Sequence, residues 1–283
     1  MSDMGFSTPP PPPPPPDGAG GGGPSLPQRD LGSILSTAFE IYKANASNLL
    51  LIVAVVVVPL TFISAFITGV VFAPDEVTRF GETINERTLI VALIVGFIGI
   101  VIAVIINAVL QAALLRGAAL ASLGEPVDID ASYKWGFARF GSVLLISLLV
   151  GLAVLGGLIL LIIPGIIFMI MFSVSIPALV VENRRGTDAM SRSWNLVKGH
   201  FWHALGVLVV ALIITAVISG IISAIGGALG DNWLIAWIFE ALAQIVVAPF
   251  SALVSVLLYL DLRARTESLS AGTLRAELAR NPA

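Results

Sequence analysis

Long apolar runs alternate with short polar segments over most of the chain. A helix needs about 20 residues to cross a hydrocarbon core about 30 Å thick. All the runs but the fourth, which has 16 residues, reach that length. The pattern predicts six membrane-spanning helices, at residues 48–72, 89–115, 142–163, 166–181, 204–229 and 233–260.

Spans three and four are predicted to form a hairpin. Residues 142–181 are 40 consecutive positions that are interrupted near the middle by Pro164 and Gly165. Such a pair favours a turn, so the two halves of this stretch are expected to cross in opposite directions. A re-entrant hairpin that is buried in protein remains the alternative.

Three further segments combine aromatic and basic side chains at helical spacing. They are residues 31–45, 131–140 and 187–201, and each directly precedes a pair of spans. Amphipathic helices of this kind lie in the membrane interface. Ordinary loop helices with the usual aromatic belt are the alternative. The predicted fold is therefore an all-α, polytopic transmembrane helical bundle with six spans as three hairpins and cytoplasmic interfacial amphipathic helices.

Basic residues are confined to alternate loops. Thirteen of the 15 Lys and Arg residues lie before the first span, after the even-numbered spans or within the interfacial segments. The other two, Arg79 and Arg87, lie after span one among four carboxylates. Cytoplasmic loops are enriched in Lys and Arg, so both termini are predicted to be cytoplasmic. The expected location is the cell membrane, with a bacterial inner membrane as the specific case.

Composition agrees with a membrane protein. Hydrophobic residues make up 57% of the chain and charged residues 12%, against roughly 25% charged in soluble domains. The mean hydropathy of +0.98 excludes a water-soluble globular protein. With no cysteine, the chain has no disulfides, thiolate metal sites or Cys nucleophiles. A net charge of −3 gives no basic field for nucleic acid.

The two ends of the chain are predicted to lie outside the membrane domain, which covers residues 28–265. Residues 1–27 contain the proline run 9–16 and a glycine run, and they are expected to be a disordered cytoplasmic tail. They lack the pattern of a signal peptide, and the proline run is either solvated or docks a proline-reading partner. Residues 266–283 are predicted to be a short cytoplasmic tail with one weak surface helix, through Leu269, Leu274 and Leu278.

Catalytic motifs are absent from the sequence. His200 and His203 are three residues apart, a spacing that suits a shared metal, but only the distant Glu182 offers a third ligand. The metalloprotease HExxH, the hydrolase GxSxG and the Walker loop do not occur. No catalytic, metal or cofactor residue is therefore assigned, and the protein is not expected to be an enzyme.

Four polar residues lie within the predicted spans. Asn107 and Gln111 are four residues apart in span two, and Glu240 and Gln244 are four apart in span six, so each pair shares a helix face. Polar groups in hydrocarbon usually face the bundle interior, where these four are candidates for a substrate path. Interhelical hydrogen bonds, or an outer-interface position for Glu240, are the alternatives.

Acidic and basic side chains meet at the predicted cytoplasmic ends of spans four and six. Arginines near a carboxylate at a membrane boundary favour ion pairs that hold helix ends together, or capture of a lipid phosphate by Arg. The candidate helix-end or headgroup contacts are Glu182, Arg184, Arg192, Asp261, Arg263 and Arg265.

These segments also carry a resemblance to a known family. They are PGI at 164–166, IPALVVE at 176–182, AMSRSWNLVKGHFW at 189–202 and LLYLDLRAR at 257–265, together with the opening LGSILSTAFEIYKANASNLL at 31–50. They resemble a bacterial membrane-protein family named for the membrane domain of glycerophosphoryl diester phosphodiesterases. The resemblance implies a link to glycerophospholipid metabolism. This chain has no room for the catalytic barrel of those phosphodiesterases, so the resemblance does not imply their activity.

The leading hypothesis is an integral membrane protein that scaffolds or assists an envelope or lipid-related process without catalysis of its own. Its expected partners are the lipid bilayer and anionic lipid headgroups. A transporter or permease subunit for a small or lipidic substrate is the first alternative, and a membrane domain linked to glycerophospholipid metabolism is the second.

Overall fold

The structure is a computed structural model that describes residues 26–66, 86–230, 232–267 and 269–281. The proline run and the end of span one lie outside this range, so their predictions stay untested. The described regular structure is helical: α1 (Leu31–Ala44), α2 (Ala46–Phe66), α3 (Glu86–Ser122), α4 (Ile129–Leu160), α5 (Ile162–Met171), α6 (Ser175–Glu182), α7 (Thr187–Lys198), α8 (Phe201–Ala228), α9 (Trp233–Glu267) and α10 (Ala271–Ala279).

Six helical segments are long and apolar enough to cross a membrane. They are Ala46–Ala65, Gly99–Ser122, Ile129–Leu160, Ile162–Glu182, Phe201–Ala228 and Trp233–Glu267. This confirms the predicted all-α fold with six apolar helices and makes the chain a multi-pass integral membrane protein. The turn after α3, the segment around α7 and the helix α10 meet at one end of the bundle, which we call the basic end.

The hairpin turn between spans three and four lies before the predicted Pro164-Gly165 pair. Helix α4 stops at Leu160, Leu161 is extended (φ −165°, ψ 151°), and α5 starts at Ile162. Pro164 therefore lies in the first turn of α5, where a backbone N–H has no intrahelical partner to lose. A Cβ atom on Gly157 would lie 2.8 Å from the Cα atom of Gly165. Only glycine allows the two helices to approach this closely.

Span four is itself discontinuous, because α5 ends at Met171 and α6 begins at Ser175. A side chain of α7 bridges this break. The hydroxyl of Ser193, which is fully buried, donates to the carbonyl of Met171 at 2.7 Å and accepts from the N–H of Val174 at 3.3 Å. Pro177 lies in the first turn of α6, as Pro164 does in α5.

The three interfacial segments differ from one another. Helices α1 and α7 are separate from the spans that follow them, but residues 131–140 form the first turns of α4 without a break. Gly141 joins this segment to span three. One glycine inside a helix costs only about 1 kcal/mol, which packing readily offsets. Trp135 in this segment is 1% exposed. A Cβ atom on Gly136 would lie 2.8 Å from the Val109 carbonyl of α3, so the segment packs on the bundle.

The core lies toward the basic end. Residues 252–264 of α9 are almost continuously buried, as is most of α6. At the opposite end, by contrast, Ile159 and Leu160 are 85% and 78% exposed. A helical bundle in a membrane keeps its apolar outer surface against lipid, so exposed side chains there are expected.

Residues 266–283 are not a free tail where the structure describes them. Helix α9 continues to Glu267, and α10 packs back on the bundle with Leu269, Leu274 and Leu278 each at most 3% exposed. The buried side chain of Asn281 accepts from Arg139 at 2.8 Å and donates to the Val180 carbonyl at 3.1 Å. The predicted surface helix is present, but its leucines are part of the core.

Candidate functional site

The Glu182 carboxylate, at the end of α6, collects donors from several elements. Its Oε1 atom accepts hydrogen bonds from Nε and Nη2 of Arg192 at 2.8 and 2.7 Å and from the hydroxyl of Tyr259. The Nε atom of Arg263 lies 3.3 Å from the same oxygen. On the outer side, Arg184 donates to Oε2 at 3.3 Å. Only 8% of the Glu182 side chain is exposed, so this carboxylate depends on protein donors.

Two further carboxylates complete this set of ion pairs. Glu267 accepts hydrogen bonds from Nη1 and Nη2 of Arg192, the latter at 2.7 Å. Glu277 of α10 accepts a bidentate pair from Arg263, at 2.6 and 3.0 Å. We call Glu182, Arg192, Arg263, Glu267, Glu277 and Tyr259 the Glu182 network. It joins α6, α7, α9 and α10 at the basic end.

The charge state of Arg192 is held by this arrangement. Burial alone would lower its pKa, but the hydrogen bonds to Glu267 and Glu182 outweigh the burial and raise the pKa above its ordinary value. The guanidinium is therefore always charged, and both of its edges are occupied by carboxylates.

Asp261 forms a second cluster on the opposite side of α9, two residues from Tyr259 and two from Arg263. Its side chain has no exposed surface. It accepts a hydrogen bond from the Arg29 backbone N–H at 2.6 Å and one from Nε of Arg265 at 2.7 Å. The Nε2 atom of His203 lies 2.9 Å from its Oδ2 atom. The cluster ties the segment before α1 to α8 and α9.

The six candidate contacts therefore fall into two groups. Glu182, Arg184, Arg192 and Arg263 come together in one, and Asp261 and Arg265 in the other. Apart from Arg184, whose side chain is 52% exposed, the arginines are largely buried and are taken up by carboxylates. Paired guanidinium groups have few N–H donors left for a lipid phosphate, so this geometry favours helix-end ion pairs over headgroup capture.

A cavity of about 750 Å³ lies within the apolar part of the bundle. We call it the bundle cavity. Its wall comes from α3, α4, α9 and the break in span four. Most of the lining is apolar, and the polar side chains in it are uncharged: Asn107, Gln111, Ser147, Ser173, Ser251 and Ser255.

Two of the four predicted intramembrane polar residues line this cavity. Asn107 donates to the carbonyl of Ala103 on its own helix at 2.8 Å, and no hydrogen bond of the Gln111 side chain is found within the described residues. The buried Oγ atom of Ser173, at the break, also has no partner there. The cavity wall thus holds hydrogen-bonding groups that the protein does not use.

The other two predicted residues lie elsewhere. Gln244 donates to Glu240 at 3.3 Å, both side chains are exposed, and neither lines the bundle cavity. The four residues therefore do not form one continuous path. The Glu240 and Gln244 pair lies on the outer surface of α9.

The structure also adds functional candidates that the sequence patterns did not single out. Tyr259, Glu267 and Glu277 belong to the Glu182 network, and Ser193 bridges the break in span four. For Tyr259, the only signal in the sequence was a hydroxyl-bearing side chain near the end of an apolar span, within LLYLDLRAR at 257–265. Glu277 lay in a segment predicted to be a tail, so no pattern connected it with Arg263.

Metal ligands do not converge in the part of the chain that the structure describes. No group of three His, Asp or Glu side chains is close enough to hold a metal ion there. His203 faces Asp261 instead of His200, whose buried Nδ1 atom has no partner among those residues. The two histidines therefore have separate surroundings.

Comparison of the chain with protein-family models, with curated proteins and with solved structures finds no match in any of the three.

Proposed function

We propose that this chain is a non-catalytic protein of the cell membrane that assists a lipid-related envelope process by holding a lipidic molecule in the bundle cavity. The basic end would face the cytoplasm, following the distribution of Lys and Arg. The observation that carries the proposal is the cavity itself, with a mainly apolar wall and unused neutral hydrogen-bonding groups.

The lining determines the chemistry of the occupant. Ligand pockets are mostly apolar, measure about 300–1,000 Å³ and contain a few polar groups that orient the ligand. This cavity fits that description, and it has no charged side chain in its wall. An ion would lose its hydration without a counter-charge, so the favoured occupant is an uncharged amphiphile with hydroxyl, ester or amide groups.

The surroundings of the cavity favour entry from the membrane. Ile100 and Val104 in its wall are 64% and 46% exposed on the outer surface of the bundle. Toward the basic end, Ser255 is followed one helical turn later by Tyr259 of the Glu182 network, about 6 Å along the axis. The Glu182 network therefore lies on that side of the cavity, and we propose that lipid enters from the exposed side.

The test is lipid retention by a variant in which the cavity is filled. Ser147→Phe places a ring in the cavity, and Leu148→Phe places a similar ring on the exposed face of the same helix. We expect native mass spectrometry of the purified protein to find neutral lipid on the wild type and on Leu148→Phe, with at least tenfold less on Ser147→Phe. Equal retention by all three proteins would contradict the proposal.

A transporter or permease subunit is the second candidate, and the break in span four favours it. Transporters often bind substrate where a helix is discontinuous. Ser173, Ile176 and Pro177, at and just after the break, line the cavity. Vesicles that contain the protein and a fluorescent lipid separate the two functions. A transporter accelerates exchange between the leaflets, and a protein that only holds lipid leaves the exchange rate unchanged.

A membrane domain linked to glycerophospholipid metabolism rests on the sequence resemblance alone. A lipid-processing enzyme would hydrolyse glycerophosphodiesters when divalent metal is supplied. We expect the purified protein to leave them intact, and hydrolysis above a no-protein control would overturn the non-catalytic part of the proposal.

A further inference from the structure

A second cavity, of about 430 Å³, lies at the basic end between the end of α3 and α10. We call it the Arg116 cavity. Its wall combines apolar side chains with two arginines and one carboxylate: Arg116, Leu120, Leu123, Glu125, Pro126, Arg275, Leu278 and Ala279. It opens on a different face of α3 from the bundle cavity, whose wall includes Gln111 and Leu115.

Arg116 differs from the other largely buried arginines because it has no carboxylate partner. Arg192, Arg263 and Arg265 each form an ion pair, whereas no Asp or Glu oxygen of the described residues lies within 4 Å of Arg116. Its Nη2 atom donates to the Leu278 carbonyl at 3.2 Å, and its Nη1 atom is buried without a hydrogen bond. The guanidinium lies 5.7 Å from the centre of the Trp135 ring.

An unpaired guanidinium near the end of an apolar helix is costly unless an anion accompanies it. The second arginine of the cavity, Arg275, is 55% exposed and lies 3.1 Å from Glu125. Two guanidinium groups and one carboxylate leave this cavity with an excess positive charge. Arginine binds phosphate through its N–H donors, and among the described residues only one hydrogen bond, from Nη2 to Leu278, occupies the donors of Arg116.

We propose that the Arg116 cavity binds a phosphate group, with Arg116 as its main ligand and Arg275 as an auxiliary one. The phosphate belongs either to an anionic lipid headgroup or to a small free phosphate compound. Leu120, Leu123 and Leu278 provide an apolar wall beside it. The site is separate from the bundle cavity and from the neutral ligand proposed for it. If the phosphate belongs to a lipid, its headgroup binds at the end of span two and not at the Glu182 network.

The test compares three variants of the full chain with the wild type. Arg116→Gln removes the charge but retains a donor for the Leu278 carbonyl. Arg185→Gln is the matched control, because it removes one exposed arginine near the same end of the bundle that has no role in either proposed site. Glu125→Gln removes the only carboxylate in the cavity wall and leaves Arg116 unchanged.

Two probes separate the sources of the phosphate. Equilibrium dialysis of the detergent-solubilised protein measures binding of inorganic phosphate. Native mass spectrometry after reconstitution into phosphatidylcholine vesicles with added phosphatidic acid measures retention of the anionic lipid. Binding of phosphate identifies a free phosphate compound as a ligand, and retention of phosphatidic acid without phosphate binding identifies a headgroup.

For whichever probe binds, Arg116→Gln is expected to weaken binding about tenfold or more and Arg185→Gln to leave it unchanged. Glu125→Gln is expected to tighten binding several-fold, and this result does not depend on whether Arg116→Gln folds. The proposal is overturned if neither probe binds the wild type, if Arg116→Gln and Arg185→Gln have equal effects on binding, or if Glu125→Gln weakens binding.

Discussion

Glu182 is a carboxylate in an apolar bundle, and its charge is compensated by neighbours that are distant in sequence. Arg192 is ten residues away, and Tyr259 is 77 residues away. A buried ion pair contributes little net stability compared with apolar packing, but removal of one partner leaves the other charge uncompensated. The network is therefore expected to be much more sensitive to a missing partner than a surface ion pair is.

Glu182→Gln tests this sensitivity. The substitution leaves Arg192 and Arg263 short of one negative charge, and we expect it to lower the free energy of unfolding by about 3 kcal/mol. The measurement is denaturant unfolding in mixed micelles. Glu240→Gln is the matched control, since Glu240 is exposed and among the described residues hydrogen-bonds only with Gln244, and it should change stability by less than about 0.5 kcal/mol. Equal effects of the two substitutions would contradict the role given to the network.

The sequence predicted the kind of contact that these residues make, but it did not predict which residues they contact. Acidic and basic side chains at the ends of two spans indicated ion pairs or headgroup contacts, and most of them do lie in ion pairs. Arg192, however, contacts Glu267, which is 75 residues away. Periodicity places a residue on a helix face, but it gives no information about which distant helix packs on that face.

At the scale of elements, the break in span four is the feature that shapes the bundle cavity. The Met171 carbonyl and the Val174 N–H at this break have no helical continuation, and Ser193 of α7 satisfies both. An unsatisfied backbone group in an apolar environment costs about 1–3 kcal/mol, so the break needs such a partner. Helix α7 thus supports the cavity wall.

Ser193→Ala removes this support, and we expect it to destabilise the protein by about 1–3 kcal/mol. Ser191→Ala is the control, because Ser191 is exposed on the same helix. Hydrogen exchange gives a second measurement. The amides around residues 172–175 should exchange faster in Ser193→Ala than in either the wild type or the control. Unchanged exchange at these amides would show that the break does not depend on Ser193.

Hydrophobic runs predicted the number and order of the long helices, but several boundaries differ. Pro164 was expected to mark a turn. A proline is tolerated in the first turn of a helix as well as in a turn, and here the chain turns at Leu161, just before α5 begins. Residues 131–140 were expected to form their own helix, but tertiary packing of Trp135 and Gly136 extends α4 through them. In both cases a local signal allowed two conformations, and packing selected one.

At the scale of the whole molecule, the polar and apolar parts are separated along the bundle axis. The Glu182 network, the Asp261 cluster and the Arg116 cavity lie at the basic end, and the bundle cavity lies in the adjoining apolar region. This arrangement places a neutral ligand site and a phosphate site at different depths. The positive-inside pattern predicted the separation of charge, and the polar pair Asn107 and Gln111 gave a signal for the bundle cavity. The rest of that wall and the whole Arg116 cavity combine side chains from separate helices, which no sequence pattern brought together.

All of these proposals depend on how the bundle lies in the membrane, which thiol labelling measures directly. The chain has no cysteine, so Lys134→Cys and Asn232→Cys each introduce a single exposed thiol, at the basic end and at the opposite end. With six crossings and a cytoplasmic basic end, a membrane-impermeant maleimide should label intact cells at position 232 only, and permeabilised cells at both positions. Labelling of position 134 in intact cells would contradict the predicted orientation.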